Sequence, residues 1–226
     1  MKLEVRLFAM LRERAGADSL EIELDDGATT EDALAALRLA PGLGETLERM
    51  PVRVAVNREY AEPGTELHPG DELAVIPPVS GGAPDREAPA APQAVVAEVT
   101  AEPLDADALA RAVARPAAGA IVTFQGTTRD VDRLEYEAYA EMAGERMADI
   151  LRECVERHGL EAAAAAHRVG GVPLGEPSVV VAVSAAHRPE AFAGAREAID
   201  RIKAEAPIWK KEIEGGDERW VEGEAP

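Results

Sequence analysis

A strand that ends in two glycines divides this sequence near its middle. Residues 72–93 read ELAVIPPVSGGAPDREAPAAPQ: an alternating apolar segment stiffens at two prolines and reaches Gly81 and Gly82. A strand that ends in a bare diglycine is typical of the end of a chain, yet this chain continues to residue 226. Residues 83–93 are rich in Pro and Ala and have no periodic apolar face, so they predict a semi-extended linker between two domains.

The first domain, residues 1–82, carries the pattern of a small mixed sheet with one helix. Leu3, Val5 and Leu7 alternate along one predicted strand, and DSLEIELDDG repeats that pattern, so the two are expected to pair as a hairpin. Thr29 and Asp32 mark the start of a helix in TTEDALAALRLAPG. PVRVAVNREY and DELAVIPPV add two strands. The order ββαββ predicts a ubiquitin-like β-grasp fold.

The second domain, residues 94–226, alternates between strand and helix patterns. AVVAEVT and GAIVTFQGTT predict strands, DADALARAVA a short helix, and LEYEAYAEMAGERMADILRECVERHG a strand followed by a long helix. AAAAAHRVGGVPLGEPSVVVAVSAAHR predicts two strands, PEAFAGAREAIDRIKAEAP a helix with proline in its first turn, and IWKKEIEGGDERWVEG a terminal hairpin. The fold class predicted for the whole chain is α+β.

Composition excludes several classes of protein. The formal net charge of −19 disfavours nucleic-acid binding, which depends on neutralising phosphates. Cys154 is the only cysteine, which excludes an internal disulfide and a Cys-rich zinc or iron–sulfur site, and no metal is expected. Cys154 falls within an amphipathic helix, so we expect a buried, inert thiol. No apolar run reaches 18 residues, so we expect a cytoplasmic protein that does not enter the membrane.

Basic side chains follow apolar segments at four places in the second domain. A strand end beside a helix start is a natural anion site, because free backbone N–H groups and cationic side chains point the same way. The candidate residues are Arg129, His187, Arg188, Lys203, Lys210 and Lys211.

Each candidate also fits an ordinary structural role. Arg129 fits a solvated loop residue, His187 a helix cap, and Lys203 a cation that balances acids on its own helix. Lys210 and Lys211 fit a surface strand edge beside an apolar anchor. The residues alone leave both interpretations open, and they give His158 and His167 no role.

Taken together, five segments of the second domain resemble a known family. VTFQGTTRD, LEYEAYAEMA, HRVGGVPLGE, VVVAVSAAHR and IKAEAPIWKKE resemble, in order and spacing, the large catalytic subunit of molybdopterin synthase, the MoaE type. Residues 1–82 resemble the small subunit, the MoaD type, a sulfur carrier that ends in Gly-Gly. The chain therefore resembles a fusion of the two subunits, and the resemblance implies a MoaE-like, α/β-hammerhead second domain.

The resemblance implies a sulfur-transfer reaction. An E1-like adenylating enzyme and a sulfur donor would convert the terminal glycine of the carrier to a thiocarboxylate. Two sulfurs would then pass, in successive steps, to cyclic pyranopterin monophosphate and form the dithiolene of molybdopterin. The pterin is a substrate, no permanently bound cofactor is expected, and the second domain is expected to form a homodimer.

The resemblance also assigns roles to individual residues. Lys203 would move protons, Lys210 would orient the substrate and stabilise charge, and Gly82 would carry the sulfur. Which lysine is the acid–base group stays open. The expected substrate contacts are Thr127, Thr128, Arg129, His187, Arg188, Lys211 and Glu212.

Two features depart from the family pattern. The segment between Arg129 and LEYEAY is several residues shorter than in the family. Gly82 is in peptide linkage to Ala83, whereas adenylation needs a free carboxylate, so we expect cleavage after Gly82. The alternatives are an uncleaved fusion with an inactive carrier half, or a sulfur-carrier and docking module for another thiolation pathway.

Overall fold

The structure is a computed structural model that describes residues 1–78 and 95–221. The chain divides into two units, Met1–Pro78 and Val79–Pro226. Gly82 and the predicted linker 83–93 lie outside the described residues, so the predicted boundaries between domains stay predictions.

The first unit is a five-stranded sheet with three helices. Its strand order is β2-β1-β5-β3-β4, and β1 runs parallel to the central strand β5 and antiparallel to β2. This mixed sheet with a helix packed on one face is the predicted β-grasp architecture. The elements are β1 (Lys2–Leu7), α1 (Ala9–Ala15), β2 (Ser19–Glu23), α2 (Thr30–Arg38), α3 (Gly44–Arg49), β3 (Arg53–Val56), β4 (Glu59–Ala61) and β5 (Leu73–Ile76).

Local sequence signals account for most of these elements. The alternating side chains Leu3, Val5 and Leu7 are buried against Leu37 of α2. Thr29 caps α2 in a capping box with Asp32, as predicted. The antiparallel pairing of β1 with β2 is confirmed.

Three details of the first unit differ from the prediction made from the sequence, which was wrong about them. Helix α1 lies between β1 and β2, so the two strands are not joined by a tight turn, and α3 follows α2. The segment PVRVAVNREY is a hairpin rather than one strand, because Asn57 and Arg58 both adopt positive φ angles, 53° and 72°. Two successive positive φ angles are the conformation of a type I′ hairpin turn.

The second unit contains two four-stranded sheets. One has the order β6-β9-β11-β7 and the other the order β10-β8-β12-β13. The α+β class and the terminal hairpin are confirmed, but the segment 162–188 holds three strands rather than two. The elements are β6 (Val95–Thr100), α4 (Ala106–Val113), β7 (Ala120–Thr127), β8 (Arg133–Ala138), α5 (Ala140–His158), β9 (Leu160–Arg168), β10 (Gly170–Pro173), β11 (Pro177–Ala185), α6 (Arg188–Glu205), β12 (Ile208–Glu214) and β13 (Asp217–Trp220).

The alanine run 162–166 forms the centre of β9, with helices packed on both faces of the sheet. Ala163 and Ala165 belong to the core under α5 and α6, whereas Ala162 and Ala164 pack with Val113 of α4. Gly194 of α6 approaches β9 so closely that a Cβ there would lie 2.8 Å from a Leu160 methyl group. Small side chains are therefore needed where helices cover β9.

A network of charged side chains links α5 to α6 below the surface. Arg201 donates to Glu205 at 2.7 Å and to Glu153 at 2.6 Å, and Arg146 also pairs with Glu205. Burial opposes the charge on Arg201, but its hydrogen bonds to the two carboxylates outweigh burial and raise the pKa of the guanidinium. The network fixes how the two helices pack.

We predict that Arg201→Ala destabilises the second unit by roughly 3 kcal/mol, because it leaves the buried carboxylate of Glu153 without a counter-charge and removes one of the partners of Glu205. Arg196→Ala is the matched control: it lies on the same helix in an exposed i,i+4 pair with Asp200 and should cost less than about 1 kcal/mol. Urea unfolding followed by tryptophan fluorescence measures the difference, since both tryptophans, Trp209 and Trp220, lie in this unit. Equal stability of the two variants would contradict the prediction.

Candidate anion-binding pocket of the second unit

A cavity of about 590 Å³ opens where the two sheets of the second unit meet the end of α6. Its floor is a row of three paired residues, Gly126 of β7, Val179 of β11 and His167 of β9. Glycine at position 126 leaves room for the Val179 side chain, because a Cβ there would lie 2.7 Å from a methyl group of Val179. The register of the sheet thus defines the bottom of the pocket.

Alternation along β12 decides which of its side chains reach the pocket. Lys210 and Glu212 line the cavity, and Lys210 lies directly opposite Tyr136 of β8, which also lines it. Lys211 belongs to the other face, with its Nζ 4.7 Å from the ring centre of Trp220. Successive side chains of a strand point to opposite faces, so neighbouring lysines have different surroundings.

Four cationic side chains line the pocket: Arg129, Lys203, Lys210 and Arg219. Lys203 lies near the end of α6 with its Nζ 5.7 Å from the ring centre of Phe124, and no ion pair to it occurs among residues 1–78 and 95–221. Arg129 is exposed in the short loop between β7 and β8. Arg219, which was not among the residues predicted from the sequence, donates to Glu212 at 2.7 Å. Three carboxylates also line the pocket, those of Asp130, Glu212 and Glu214. The cations outnumber them, which favours an anionic ligand in this acidic chain.

The inner wall of the pocket consists of polar side chains that are joined by hydrogen bonds. The hydroxyl of Tyr136 donates to Ser178 Oγ at 3.0 Å, and Ser178 donates to the Gly126 carbonyl at 3.2 Å. Burial raises the pKa of Tyr136, so it remains a phenol. The ring of Tyr136 meets that of His167 edge to face at 4.9 Å. His167 could have been recognised as a site residue from the sequence. It is the one titratable residue at an inward position of β9, and it follows Ala165 by two residues.

The structure places the predicted site residues in three groups. The pocket of this chain brings together Thr127, Arg129, Lys203, Lys210 and Glu212. Thr128 and Lys211 do not line it: Thr128 is buried and its hydroxyl donates to the Val172 carbonyl at 3.3 Å. His187 and Arg188 do not line it either, and Gly82 lies outside the described residues.

His187 and Arg188 lie at the opposite end of β11 from the pocket. Pro177, at the start of β11, pairs with Thr127, whereas Ala185, at its end, pairs with Ala120. From Ser178 to His187 the chain advances roughly 25–30 Å at about 3.3 Å per residue. The two residues start α6, which returns along the sheet and brings Lys203 to the pocket. The basic positions that looked alike in sequence therefore belong to two separate places on this chain.

Other candidate features of the described residues offer no comparable site. A depression of about 610 Å³ on the first unit is lined by acidic side chains, which repel anions. Cys154 is buried, and burial raises its pKa to about 12, so its thiol is inert as predicted. Within 1–78 and 95–221, no group of three or more His, Cys, Asp or Glu side chains is arranged to hold a metal ion. In the same part of the chain, no helix has both the length and the apolar surface needed to cross a membrane.

The fold and the pocket define an α+β protein with a cationic cavity, preceded by a β-grasp unit, and comparisons with known proteins agree. The profile described as MoaE protein matches residues 99–205, and that of the ThiS family matches residues 5–82. A molybdopterin synthase catalytic subunit from Thermoplasma volcanium is 46% identical over 132 residues, 55% of this chain and 94% of that relative. The chain belongs to the MoaE protein family, with a ThiS-family domain fused before it.

Further relatives and solved structures match the same half of the chain. A molybdopterin synthase catalytic subunit from Oryza sativa subsp. japonica is 54% identical over 112 residues, 47% of this chain, and the chain spans 58% of that relative's length. The crystal structure of molybdopterin synthase from Staphylococcus aureus is 35% identical, with a TM-score of 0.52, over 55% of this chain and 96% of that one. A MoaE protein from Burkholderia ambifaria has a TM-score of 0.51 at 35% identity, over 58% of this chain and 91% of that one.

The buried His167 predicts how the stability of the second unit depends on pH. Burial, together with the nearby Lys203 charge, lowers the pKa of His167 from 6.5 to about 4. Between these values the unfolded chain binds this proton and the folded chain does not, so the free energy of unfolding falls as the pH is lowered through this window.

We expect the parent to lose about 2 kcal/mol more stability than His167→Gln between pH 7 and pH 4.5. Urea unfolding at both pH values, followed by tryptophan fluorescence, measures the difference. Glutamine does not titrate, so the comparison removes the contribution of the carboxyl groups common to both proteins. An equal loss in the two proteins would show that His167 titrates normally.

Proposed function

We propose that the chain is a molybdopterin synthase that transfers two sulfurs to cyclic pyranopterin monophosphate. The observation that carries the proposal is the pocket of the second unit, where Arg129, Lys203 and Lys210 converge in a chain of net charge −19. The substrate is an anion with a phosphate group, and such a group is bound by charge-assisted donors. Membership of the MoaE family supports the same reaction.

The sulfur comes from the carrier domain rather than from a cysteine. A thiocarboxylate at Gly82 attacks the pterin substrate, and water then cleaves the acyl–sulfur bond and leaves a glycine carboxylate on the carrier. Two successive transfers give the dithiolene. A Gly-Gly end has no side chains, so it can enter a narrow pocket. The inert Cys154 is consistent with this source of sulfur.

Roles for the pocket residues follow from their positions. Arg129 and Lys210 bind and orient the anionic substrate, and Thr127 and Glu212 line the same cavity. Lys203 has no acid paired with it in the described residues and serves as the proton-transfer group. Thr128 and Lys211, which face elsewhere, support the pocket from outside it.

His187 and Arg188 require a second copy of the chain if they contact the substrate. They lie too far from the pocket of their own chain, so they could reach a bound substrate only from another molecule. This placement supports the homodimer, formed through the second domain, that the family resemblance implies. The further partners proposed are an E1-like adenylating enzyme and a sulfur donor, with no permanently bound cofactor, in the cytoplasm.

We predict that Lys203→Ala reduces turnover by at least about 100-fold, the usual contribution of a general acid–base group. Lys203→Arg keeps the charge but cannot release its proton, so it should not restore turnover. The assay mixes processed, thiocarboxylated protein with the pterin precursor and measures the fluorescent oxidised product. Arg196→Ala, at an exposed position of the same helix, is the control.

A near-normal rate for Lys203→Ala would move the acid–base role to Lys210. Recovery of turnover in Lys203→Arg would instead assign Lys203 a purely electrostatic role. Absence of product from the parent protein would reject the proposed function itself.

We further predict that the chain is cleaved between Gly82 and Ala83, because adenylation needs a free carboxylate at Gly82. Intact-mass measurement of protein from its native host should find two fragments, one ending at Gly82. A fraction of that fragment should be heavier by the difference between sulfur and oxygen. Only full-length protein, in cells that depend on this chain for the cofactor, would support the uncleaved alternative.

A further inference from the structure

His167 lies on the floor of the pocket, yet neither the sequence nor the family resemblance gave it a role. It is buried, with 6% of its surface exposed, and its ring forms part of the cavity wall. It lies on the inward face of β9, near the end of the strand. The residues before it on that face, Ala163 and Ala165, are small and apolar. A polar ring at this position therefore departs from the pattern of its strand.

One nitrogen of His167 is occupied by the backbone. Nδ1 lies 2.9 Å from the carbonyl oxygen of Arg168. A carbonyl oxygen can only accept a hydrogen bond, so Nδ1 carries the proton in the neutral ring. The remaining nitrogen, Nε2, is then an acceptor, and it has no partner within the parts of the chain that the structure describes.

The ring is held in place and stays neutral. Tyr136 packs edge to face against it and is itself fixed by the hydrogen bond to Ser178. Burial and the nearby Lys203 ammonium disfavour protonation, which lowers the pKa of His167 to about 4. Nε2 is therefore an oriented acceptor throughout the physiological pH range.

His167 Nε2 differs from the charged groups of the pocket because it is a buried, uncharged acceptor. Lys203, Lys210 and Arg129 can only donate hydrogen bonds. Three carboxylates line the pocket as well: Glu212 is paired with Arg219, Asp130 lies 3.8 Å from the Arg129 guanidinium, and Glu214 lies at the end of β12. A phosphate satisfies the donors, but the ring of a pterin carries N–H groups that need an acceptor.

We infer that His167 Nε2 accepts a hydrogen bond from a ring N–H group of the pterin substrate and orients the ring, while the cationic side chains bind the phosphate. This inference rests on the proposed function for the identity of the substrate. It adds a substrate-orienting residue that acts by accepting a hydrogen bond through an uncharged ring nitrogen. The polar contacts behind His167, from Tyr136 to Ser178 to Gly126, keep its ring in position.

Two substitutions separate the two nitrogens of the ring. In His167→Asn, the short amide can keep the donor to the Arg168 carbonyl but offers nothing at the position of Nε2. In His167→Gln, the longer amide can place its carbonyl oxygen near that position but loses the bond to Arg168. The dissociation constant of cyclic pyranopterin monophosphate is measured by fluorescence titration of both variants and the parent, without the need for turnover.

We expect His167→Asn to raise this dissociation constant roughly five- to tenfold, the effect of losing one hydrogen bond to a buried acceptor. His167→Gln should recover at least half of that loss. Binding of inorganic phosphate, measured by competition, should be unchanged in both variants. Tryptophan fluorescence and urea unfolding confirm that the variants are folded.

Three results would overturn the inference. They are an unchanged dissociation constant in His167→Asn, equal weakening in both variants, or a parallel loss of phosphate binding, which would indicate a general collapse of the pocket. Turnover of the parent is measured separately. A parent that binds the pterin with the expected dependence on His167, but forms no dithiolene, would reject the proposed reaction and leave the binding role intact.

Discussion

The hydrogen-bonded register of β11 with its two neighbours is the constraint on which the pocket depends. Because Val179 pairs with both Gly126 and His167, three residues far apart in sequence form one row at the bottom of the cavity. A slip of one residue in either pairing would turn the inward side chains to the other face. The side-chain bonds from Tyr136 through Ser178 to the Gly126 carbonyl connect the second sheet to this row.

Charge explains why this pocket stands out in an acidic molecule. Most basic side chains of the second unit are held in ion pairs, as in the network around Arg201 between α5 and α6. Lys203 lies two residues before Glu205 of that network, but its ammonium is directed to the cavity. The buried ion pairs therefore position the helix that presents an unneutralised cation to a ligand.

Much of this architecture could be predicted from local patterns in the sequence. Alternation identified β1, capping signals identified the start of α2, and ordered segments identified the family. Two kinds of information were not local. The positive φ angles of Asn57 and Arg58 converted one predicted strand into a hairpin. His187 and Lys203 look equivalent in the sequence because both follow apolar segments. In the fold they lie far apart, because His187 follows the far end of β11 whereas α6 returns to bring Lys203 to the pocket. His167 was missed because its role depends on pairing with distant strands.

The alanine run of β9 limits which substitutions the core of the second unit can accept. Helices cover both faces of that strand, so no alanine among 162–165 can grow by a methyl group without displacing α4, α5 or α6. The same strand carries His167 next to its last residue, so a shifted β9 would move the imidazole with it. Changes deep in this core would therefore alter ligand selectivity as well as stability, which makes a run of the simplest side chains a determinant of molecular recognition.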